Sequence, residues 1–283
     1  MLEEWDADWL EEEKKNGRTR PLVIHCSRSV TSEEGEEADE NVVSNDALEC
    51  QMLVKVQNNE VTERHLFAEV YGNLLAREFG VSTAQPALIR ISPEFVESLK
   101  MTDIGKHLTI APGIAVGCEY IKGMSPIALS ASRNNEELAD IQAIYGVDLL
   151  SQNPDRRPSK TNCASFQGGI LAYDFELSFS FLWPIFGVIP AAWAVHEQGI
   201  NKGHLFYQEL KRRQMSEQTQ GAKGLDWKPF LTILQSLTPE KLSTYFKPVF
   251  PEWANYAEQV KTHIGEIRTN IQKFEDALIW VSV

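Results

Sequence analysis

The sequence predicts an α+β protein with a β-rich N-terminal lobe, residues 1–125, and a mainly helical C-terminal lobe, residues 126–283. Three observations lead to this prediction. Short β-branched runs separated by loops make up most of the first lobe. Apolar residues at helical spacing dominate the C-terminal third. A content of 43% hydrophobic and 24% charged residues is typical of a globular enzyme.

The N-terminal lobe is predicted to begin with a short helix over residues 3–15, because Trp5 and Trp9 are four residues apart. Strands are predicted at residues 21–26 and 51–57, where β-branched residues cluster. The polar, acidic residues 31–49 between them predict a loop.

The lobe continues with a helix predicted over residues 62–79, which Thr62 can cap and Gly80 can end. Further strands are predicted at residues 81–91 and 114–121. In the second lobe we expect a helix over residues 136–150, two short strands at 164–166 and 170–174, and a long helix over 256–279.

The net charge of −13 comes almost entirely from the N-terminal fifth of the chain. Residues 1–50 contain 15 acidic and 5 basic residues, which leaves the remaining residues almost balanced. A chain this acidic disfavours a nucleic-acid partner, since phosphate backbones need clustered cations.

Cysteine usage and the N-terminus favour a cytoplasmic location. The four cysteines contain no Cys-x-x-Cys pair, so we expect reduced thiols rather than zinc ligands or a disulfide framework. Residues 1–15 are acidic and lack the features of a signal peptide.

Residues 177–195 form an uncharged run of 19 residues that approaches the length of a membrane-spanning helix. Pro184, Gly187 and Pro190 interrupt it, and no positive-inside pattern flanks it. We therefore expect a buried, irregular segment, with a partner-facing apolar patch as the alternative.

Three polar residues in the second lobe suggest a chemistry. Asp155 lies in a loop after a predicted helix, Asn162 follows seven residues later, and Asp174 ends the next strand twelve residues on. A hairpin of that size can bring Asn162 and Asp174 side by side. Phosphoryl transfer needs a carboxylate beside the attacking hydroxyl, and an amide oxygen and a second carboxylate to hold Mg²⁺.

The first lobe supplies a candidate cation. Lys55, on a predicted strand, could reach nucleotide phosphates, and Glu69, on the following helix, could pair with it and fix its position. Taken alone, each of these residues is more typical of a surface charge. Their order along the chain, together with Asp155, Asn162 and Asp174, is what favours a kinase-like cleft.

The loop Asn153-Pro154-Asp155-Arg156, with Asn162 and Asp174 downstream, resembles that of the HipA-like protein kinases, in their compact bacterial subgroup. The resemblance covers roughly residues 20–250. The pattern also includes residues 52–56, 67–70, 79–81, 116–120, 145–150 and 173–176, and the match is weaker in the first lobe.

The resemblance implies a two-lobed, protein-kinase-like fold that binds ATP and Mg²⁺. Asp155 would be the catalytic acid/base, and Asn162 and Asp174 would be metal ligands. Arg156 would steady the catalytic loop. The expected nucleotide-binding residues are Lys55 at the phosphates, Glu69 as its partner, and Glu119, Tyr120 and Ile121 as the hinge whose backbone reads adenine.

The sequence also departs from that pattern. Glu176 stands where kinases have the glycine of Asp-Phe-Gly, and the acidic segment 27–49 replaces a glycine-rich phosphate loop. An acidic cover should repel nucleotide phosphates. The six histidines show no metal-ligand spacing and are interpreted as structural or exposed.

Three function classes therefore stand side by side. The first is a Ser/Thr kinase that acts on a protein or on itself. The resemblance implies Ser27, Ser29, Thr31 and Ser32 as candidate acceptors, since some HipA-like kinases modify themselves in this segment. The second is a pseudokinase that serves as a scaffold, and the third is an interaction protein that docks through residues 177–195. A small-molecule or lipid acceptor would need the same cleft chemistry, and the acceptor itself is left open.

Overall fold

The computed structural model describes residues 2–15, 19–29, 47–57, 61–104, 110–128, 133–183, 191–194, 199–220 and 225–279. The α+β prediction is confirmed, with a β-rich N-terminal part and a mainly helical C-terminal part. The chain divides into two compact units. The first comprises Met1–Thr62 with Ala84–Lys122, and the second Glu63–Thr83 with Gly123–Val283.

The strands described are, in chain order, β1 (Glu3–Glu13), β2 (Leu22–Ser29), β3 (Ala47–Lys55), β4 (Ser82–Thr83), β5 (Pro86–Ile91), β6 (Gly113–Glu119), β7 (Ser125–Pro126), β8 (Cys163–Phe166) and β9 (Gly169–Ala172). The α-helices described are α1 (Glu63–Glu78), α2 (Pro93–Lys100), α3 (Asn135–Leu150), α4 (Ile200–Gly203), α5 (Tyr207–Gln220), α6 (Lys228–Ser236), α7 (Pro239–Tyr245), α8 (Ala254–Thr269) and α9 (Ile271–Ile279).

The first unit is a closed five-stranded barrel in the order β1-β2-β3-β6-β5. Strands β1 and β5 run parallel, and the other neighbours are antiparallel. Closure leaves no open edge on this sheet. The barrel core contains buried apolar side chains that alternate along the strands, among them Leu22, Ile24, Met52, Val54 and Ile89.

The helix predicted over residues 3–15 is wrong, since these residues form strand β1. Its pairing with β2 shifts register between Ala7 and Trp9 and again between Leu10 and Glu12. Each extra residue moves the inward positions one step along the chain, so Trp5, Ala7 and Leu10 all face the barrel core while Trp9 is 51% exposed. Trp5 and Trp9 therefore do not share a face, and their four-residue spacing does not indicate a helix.

The other predicted elements of this region differ mainly in their bounds. Strand β3 starts at Ala47, so the predicted loop 31–49 shortens at its end, and its residues 31–46 lie outside the described residues. The strand predicted at 81–91 is two strands, β4 and β5, which belong to different units. Helix α1 groups with the second unit, because β4, which follows it, pairs with β9 there.

The second unit combines the sheet β4-β9-β8-β7 with helices. Helix α3 begins with a reciprocal capping box, in which Asn134 accepts from the Glu137 N–H and the Glu137 side chain accepts from the Asn134 N–H. The long helix predicted at 256–279 is broken at Asn270, which separates α8 from α9. The Asn270 N–H and its side-chain amide both donate to the Glu266 carbonyl and so close α8.

Only parts of the uncharged run 177–195 are described. Residues 180–182 form a 3₁₀ turn, and Phe181, Leu182, Ala192 and Ala194 are buried. Among the described residues of the chain, no helix is both long and apolar enough to cross a bilayer.

Glycine at position 146 lets α3 approach α6. A Cβ atom added to Gly146 would lie 2.5 Å from Phe230, whose ring is stacked on Phe79 at 4.4 Å between centroids. We expect Gly146→Ala to lower the free energy of unfolding by about 1–3 kcal/mol through overpacking, despite its better helix propensity.

The matched control is Gly265→Ala in α8, where an added Cβ meets no atom within 4 Å. There the gain in helix propensity should raise the free energy of unfolding by about 0.5–1 kcal/mol. Denaturant unfolding of both variants measures the contrast. Equal effects of the same sign would contradict close packing at Gly146.

Candidate functional site

The hairpin of β8 and β9 positions two of the predicted site residues. Asn162 directly precedes β8 and Asp174 follows β9 by two residues. Phe166 pairs with Gly169 across a two-residue loop, and both loop residues, Gln167 and Gly168, have positive φ angles of 49° and 83°. This conformation matches the twist of the strands.

At the open end of the hairpin, the Tyr173 N–H donates to the Asn162 carbonyl at 3.0 Å. The hairpin therefore brings the segments that carry Asn162 and Asp174 together, as the sequence led us to expect. Asn162 and Asp174 also share a left-handed backbone, with φ angles of 45° and 60°. Such conformations in non-glycine residues persist only where the surroundings hold them, and they concentrate at functional sites.

Asp155 lies in the loop after α3 and its side chain is 4% exposed. The Asp155 N–H donates to the Asn153 side-chain oxygen at 3.1 Å, a local bond that shapes the loop. The Asn162 side-chain amide donates to Oδ2 of Asp155 at 3.0 Å. The predicted acid/base and one predicted metal ligand are thus direct neighbours.

Lys160 connects Asp155 with Asp174. Its Nζ lies 2.5 Å from Oδ2 of Asp155 and 3.2 Å from Oδ2 of Asp174. Burial would lower the pKa of Lys160, but the hydrogen bond to Asp155 and the charge of Asp174 raise it above its usual value. The Lys160 side chain is 44% exposed, so this ammonium group lies at the boundary with water.

Arg156 is buried beneath this group and ties its backbone together. Its Nη1 donates to the carbonyls of Asn162 and, at 3.3 Å, Tyr173. Its Nε donates to Oδ2 of Asp148 at 2.5 Å. These hydrogen bonds are consistent with the predicted role of Arg156 in steadying the loop.

The segment that follows Asp174 contains Glu176 and contacts Glu69 on α1. The Glu69 carboxylate, on α1, accepts a hydrogen bond from the Phe175 N–H at 3.0 Å. Glu176, at the position of the missing glycine, is 5% exposed. The structure thus anchors the segment after Asp174 to α1.

The remaining predicted residues belong to the first unit. Lys55 ends β3 opposite Val116 and is 8% exposed. The N–H groups of Glu119 and Tyr120 donate to the carbonyls of Gln85 at 3.0 Å and Gln51 at 2.7 Å. An adenine ring would therefore have to form hydrogen bonds with carbonyl groups of this segment or with the backbone of Ile121.

Asn162 and Asp174 carry the kinds of oxygen ligand that a magnesium ion takes. Within the ranges that the structure describes, no three His, Cys, Asp or Glu side chains form a metal-binding group. Magnesium, however, takes only one or two protein oxygen ligands beside water and substrate phosphates. The Asn162 amide nitrogen faces Asp155, so the Asn162 amide oxygen is left for a cation. The Lys160 ammonium group already places a positive charge between the carboxylates of Asp155 and Asp174.

Sequence reasoning missed three residues of this site: Lys160, Asp148 and His204. Lys160 had a signal, since it is a cation two residues before Asn162 in the same loop. Asp148 had a weaker one, as an acid inside the apolar end of α3. His204 comes from a distant part of the sequence, and its Nε2 lies 3.0 Å from Oδ2 of Asp148. No signal in the sequence pointed to it.

The fold and the site together define a class, an α+β protein with a carboxylate, amide and ammonium cluster beside a hairpin. Among solved structures, the chain is similar to the proinflammatory kinase CtkA of Helicobacter pylori, with 12% sequence identity, a TM-score of 0.48 and coverage of 100% of both chains. No protein-family model matches the sequence, and comparison with curated proteins finds no match. The function proposed below therefore depends on the site residues.

Proposed function

We propose that this protein is an ATP- and Mg²⁺-dependent phosphotransferase that resembles the HipA-like Ser/Thr kinases and acts on a protein hydroxyl, its own included. The observation that carries the proposal is that the Lys160 ammonium group contacts both Asp155 and Asp174, while the Asn162 amide contacts Asp155. Two carboxylates, an amide oxygen and a cation are groups that phosphoryl transfer uses.

Asp155 is the proposed proton acceptor. Its Oδ2 is held by the Asn162 amide, and its backbone by Asn153, so the carboxylate is oriented before an acceptor hydroxyl arrives. Positioning of this kind supplies much of the rate in phosphoryl transfer, because the chemistry needs little covalent participation from the protein.

Asn162 and Asp174 are the proposed magnesium ligands. When bound, the ion would neutralise phosphate charge. Because Asn162 contacts Asp155 directly, the acid/base and the metal ligand keep a constant separation. Arg156 maintains the backbone on both sides of this arrangement.

Lys55, Glu69 and the segment from Glu119 to Ile121 complete the proposal as nucleotide-binding residues. Glu69 already holds the Phe175 backbone, so it can set the position of the segment after Asp174. The roles of Lys55 in phosphate binding and of residues 119–121 in adenine binding stay predictions.

A pseudokinase is the second candidate, favoured by the buried Glu176 and by the Lys160 ammonium between the two carboxylates. Transfer of phosphate from γ-labelled ATP in the presence of Mg²⁺ separates the two functions. Labelled protein or acceptor supports the kinase. A rise of the melting temperature with ATP, without transfer, supports the pseudokinase.

Lys160 should compete with magnesium for Asp174. Lys160→Met removes the cation that contacts both carboxylates, so we expect Mg²⁺ to bind more tightly in the absence of nucleotide, by roughly three- to tenfold. Phosphate transfer should fall in the same variant, because the transferred phosphoryl group loses a positive charge. Calorimetric titration with Mg²⁺ and the transfer assay measure the two effects.

Arg157→Met is the matched control, since Arg157 also lies near Asp155, at 3.4 Å, but has no contact with Asp174 among the salt bridges described. It should change magnesium affinity less than Lys160→Met. Weaker magnesium binding in Lys160→Met would contradict competition for the site.

A further inference from the structure

We infer that His204 is a positioning residue for the proposed phosphotransferase site, acting through Asp148 and Arg156 on the backbone that carries Asn162 and Asp174. The inference rests on the proposed function. His204 precedes α5 and is distant in sequence from the catalytic loop. Its contacts nevertheless lead to that loop.

The first step of the chain is the Asp148 carboxylate, which is fully buried near the end of α3. Its Oδ2 accepts from Nε of Arg156 at 2.5 Å and from Nε2 of His204 at 3.0 Å. Its Oδ1 accepts from the Asn153 side-chain amide at 3.0 Å. We call Asp148, Asn153, Arg156 and His204 the Asp148 network.

The second step is the tautomer of His204. The Phe206 N–H donates to Nδ1 at 3.1 Å, so the ring proton lies on Nε2 and points to Asp148. Burial lowers the pKa of His204 more than the nearby carboxylate raises it, which keeps the ring neutral. A neutral donor leaves the ion pair of Asp148 and Arg156 balanced in charge.

The third step is the guanidinium group. Arg156 donates from Nη1 to the carbonyls of Asn162 and Tyr173 and from Nε to Asp148, so the Asp148 carboxylate orients the group that holds both carbonyls. The Leu205 N–H also donates to the Arg156 carbonyl at 2.9 Å, so the segment around His204 supports Arg156 at both its side chain and its backbone. Loss of the His204 donor leaves a buried carboxylate under-satisfied and loosens the guanidinium.

His204→Phe tests this chain, because it keeps an aromatic ring and removes the hydrogen bond to Asp148, together with the acceptor of the Phe206 N–H. We expect the amides of Tyr173 and Phe175 to exchange hydrogen at least about tenfold faster than in the unaltered protein, as followed by mass spectrometry of the peptide that contains them. His204→Gln, whose amide can still donate to Asp148, should restore exchange to within about threefold.

His263→Phe is the matched control. His263 is equally buried and also makes one hydrogen bond through Nε2, to the Leu150 carbonyl at 2.9 Å, with its ring stacked on Phe181. It should destabilise the second unit without changing exchange at Tyr173 and Phe175 selectively. Equal acceleration in His204→Phe and His263→Phe, or failure of His204→Gln to rescue, would overturn the inference.

The kinetic comparison uses the same variants. His204→Phe should lower kcat for phosphate transfer roughly tenfold with KM for ATP changed by less than about threefold, and His263→Phe should change neither selectively. If the unaltered protein transfers no phosphate, the proposed function fails while the exchange comparison still decides whether His204 positions the segment. Should His204→Phe not fold, His204→Asn, whose side chain is too short to reach Asp148, takes its place beside His204→Gln.

Discussion

Asp155→Asn is expected to reduce phosphate transfer from ATP by about 10²–10⁴-fold. Asparagine has nearly the same shape and can stay in the loop, but its amide cannot take a proton from an acceptor hydroxyl. The new amide would also face the Asn162 amide, which in the unaltered protein donates to Oδ2 of Asp155 at 3.0 Å. The measurement is incorporation of γ-labelled phosphate with Mg²⁺ into the protein or an added acceptor.

Two further variants make this result specific. Asp174→Asn should also abolish most of the transfer, because it removes the carboxylate proposed to hold magnesium. Asp276→Asn, on the exposed side of α9, serves as the control and should keep full activity. Transfer that is undiminished in Asp155→Asn would rule out Asp155 as the proton acceptor.

Arg156→Met is expected to lower the free energy of unfolding by about 3–5 kcal/mol. The Arg156 side chain is 0% exposed and its partner Asp148 is 1% exposed, so the substitution leaves a buried carboxylate without its countercharge. It also removes the guanidinium hydrogen bonds to the carbonyls of Asn162 and Tyr173. Urea unfolding followed by circular dichroism measures the loss.

Arg157→Met provides the comparison, since the Arg157 side chain is 53% exposed and pairs with Asp155 at 3.4 Å. An exposed ion pair contributes little, so the expected change is below about 1 kcal/mol. If Arg156→Met and Arg157→Met lower the free energy of unfolding equally, the Asp148 network does not stabilise the second unit as its geometry indicates.

Local patterns predicted the elements that have ordinary geometry. The apolar stripe and the glycine after it identified α1, and the short apolar runs at the end of the loop identified the hairpin that presents Asn162 and Asp174. The same reasoning is wrong for β1, because Trp5 is buried in the barrel core whereas Trp9, four residues later, is exposed. The spacing of two large apolar residues does not by itself show that they share a face, and two register shifts make the alternation along β1 irregular.

The candidate site divides in the same way. The sequence by itself determined the order and types of Asp155, Asn162 and Asp174, since these depend on spacing within one loop and one hairpin. Only the tertiary structure decided that the Lys160 ammonium lies between Asp155 and Asp174, and that His204 supports Arg156 through Asp148. The reason is physical: a buried charge must find partners wherever the fold supplies them, and those partners need not be near in sequence.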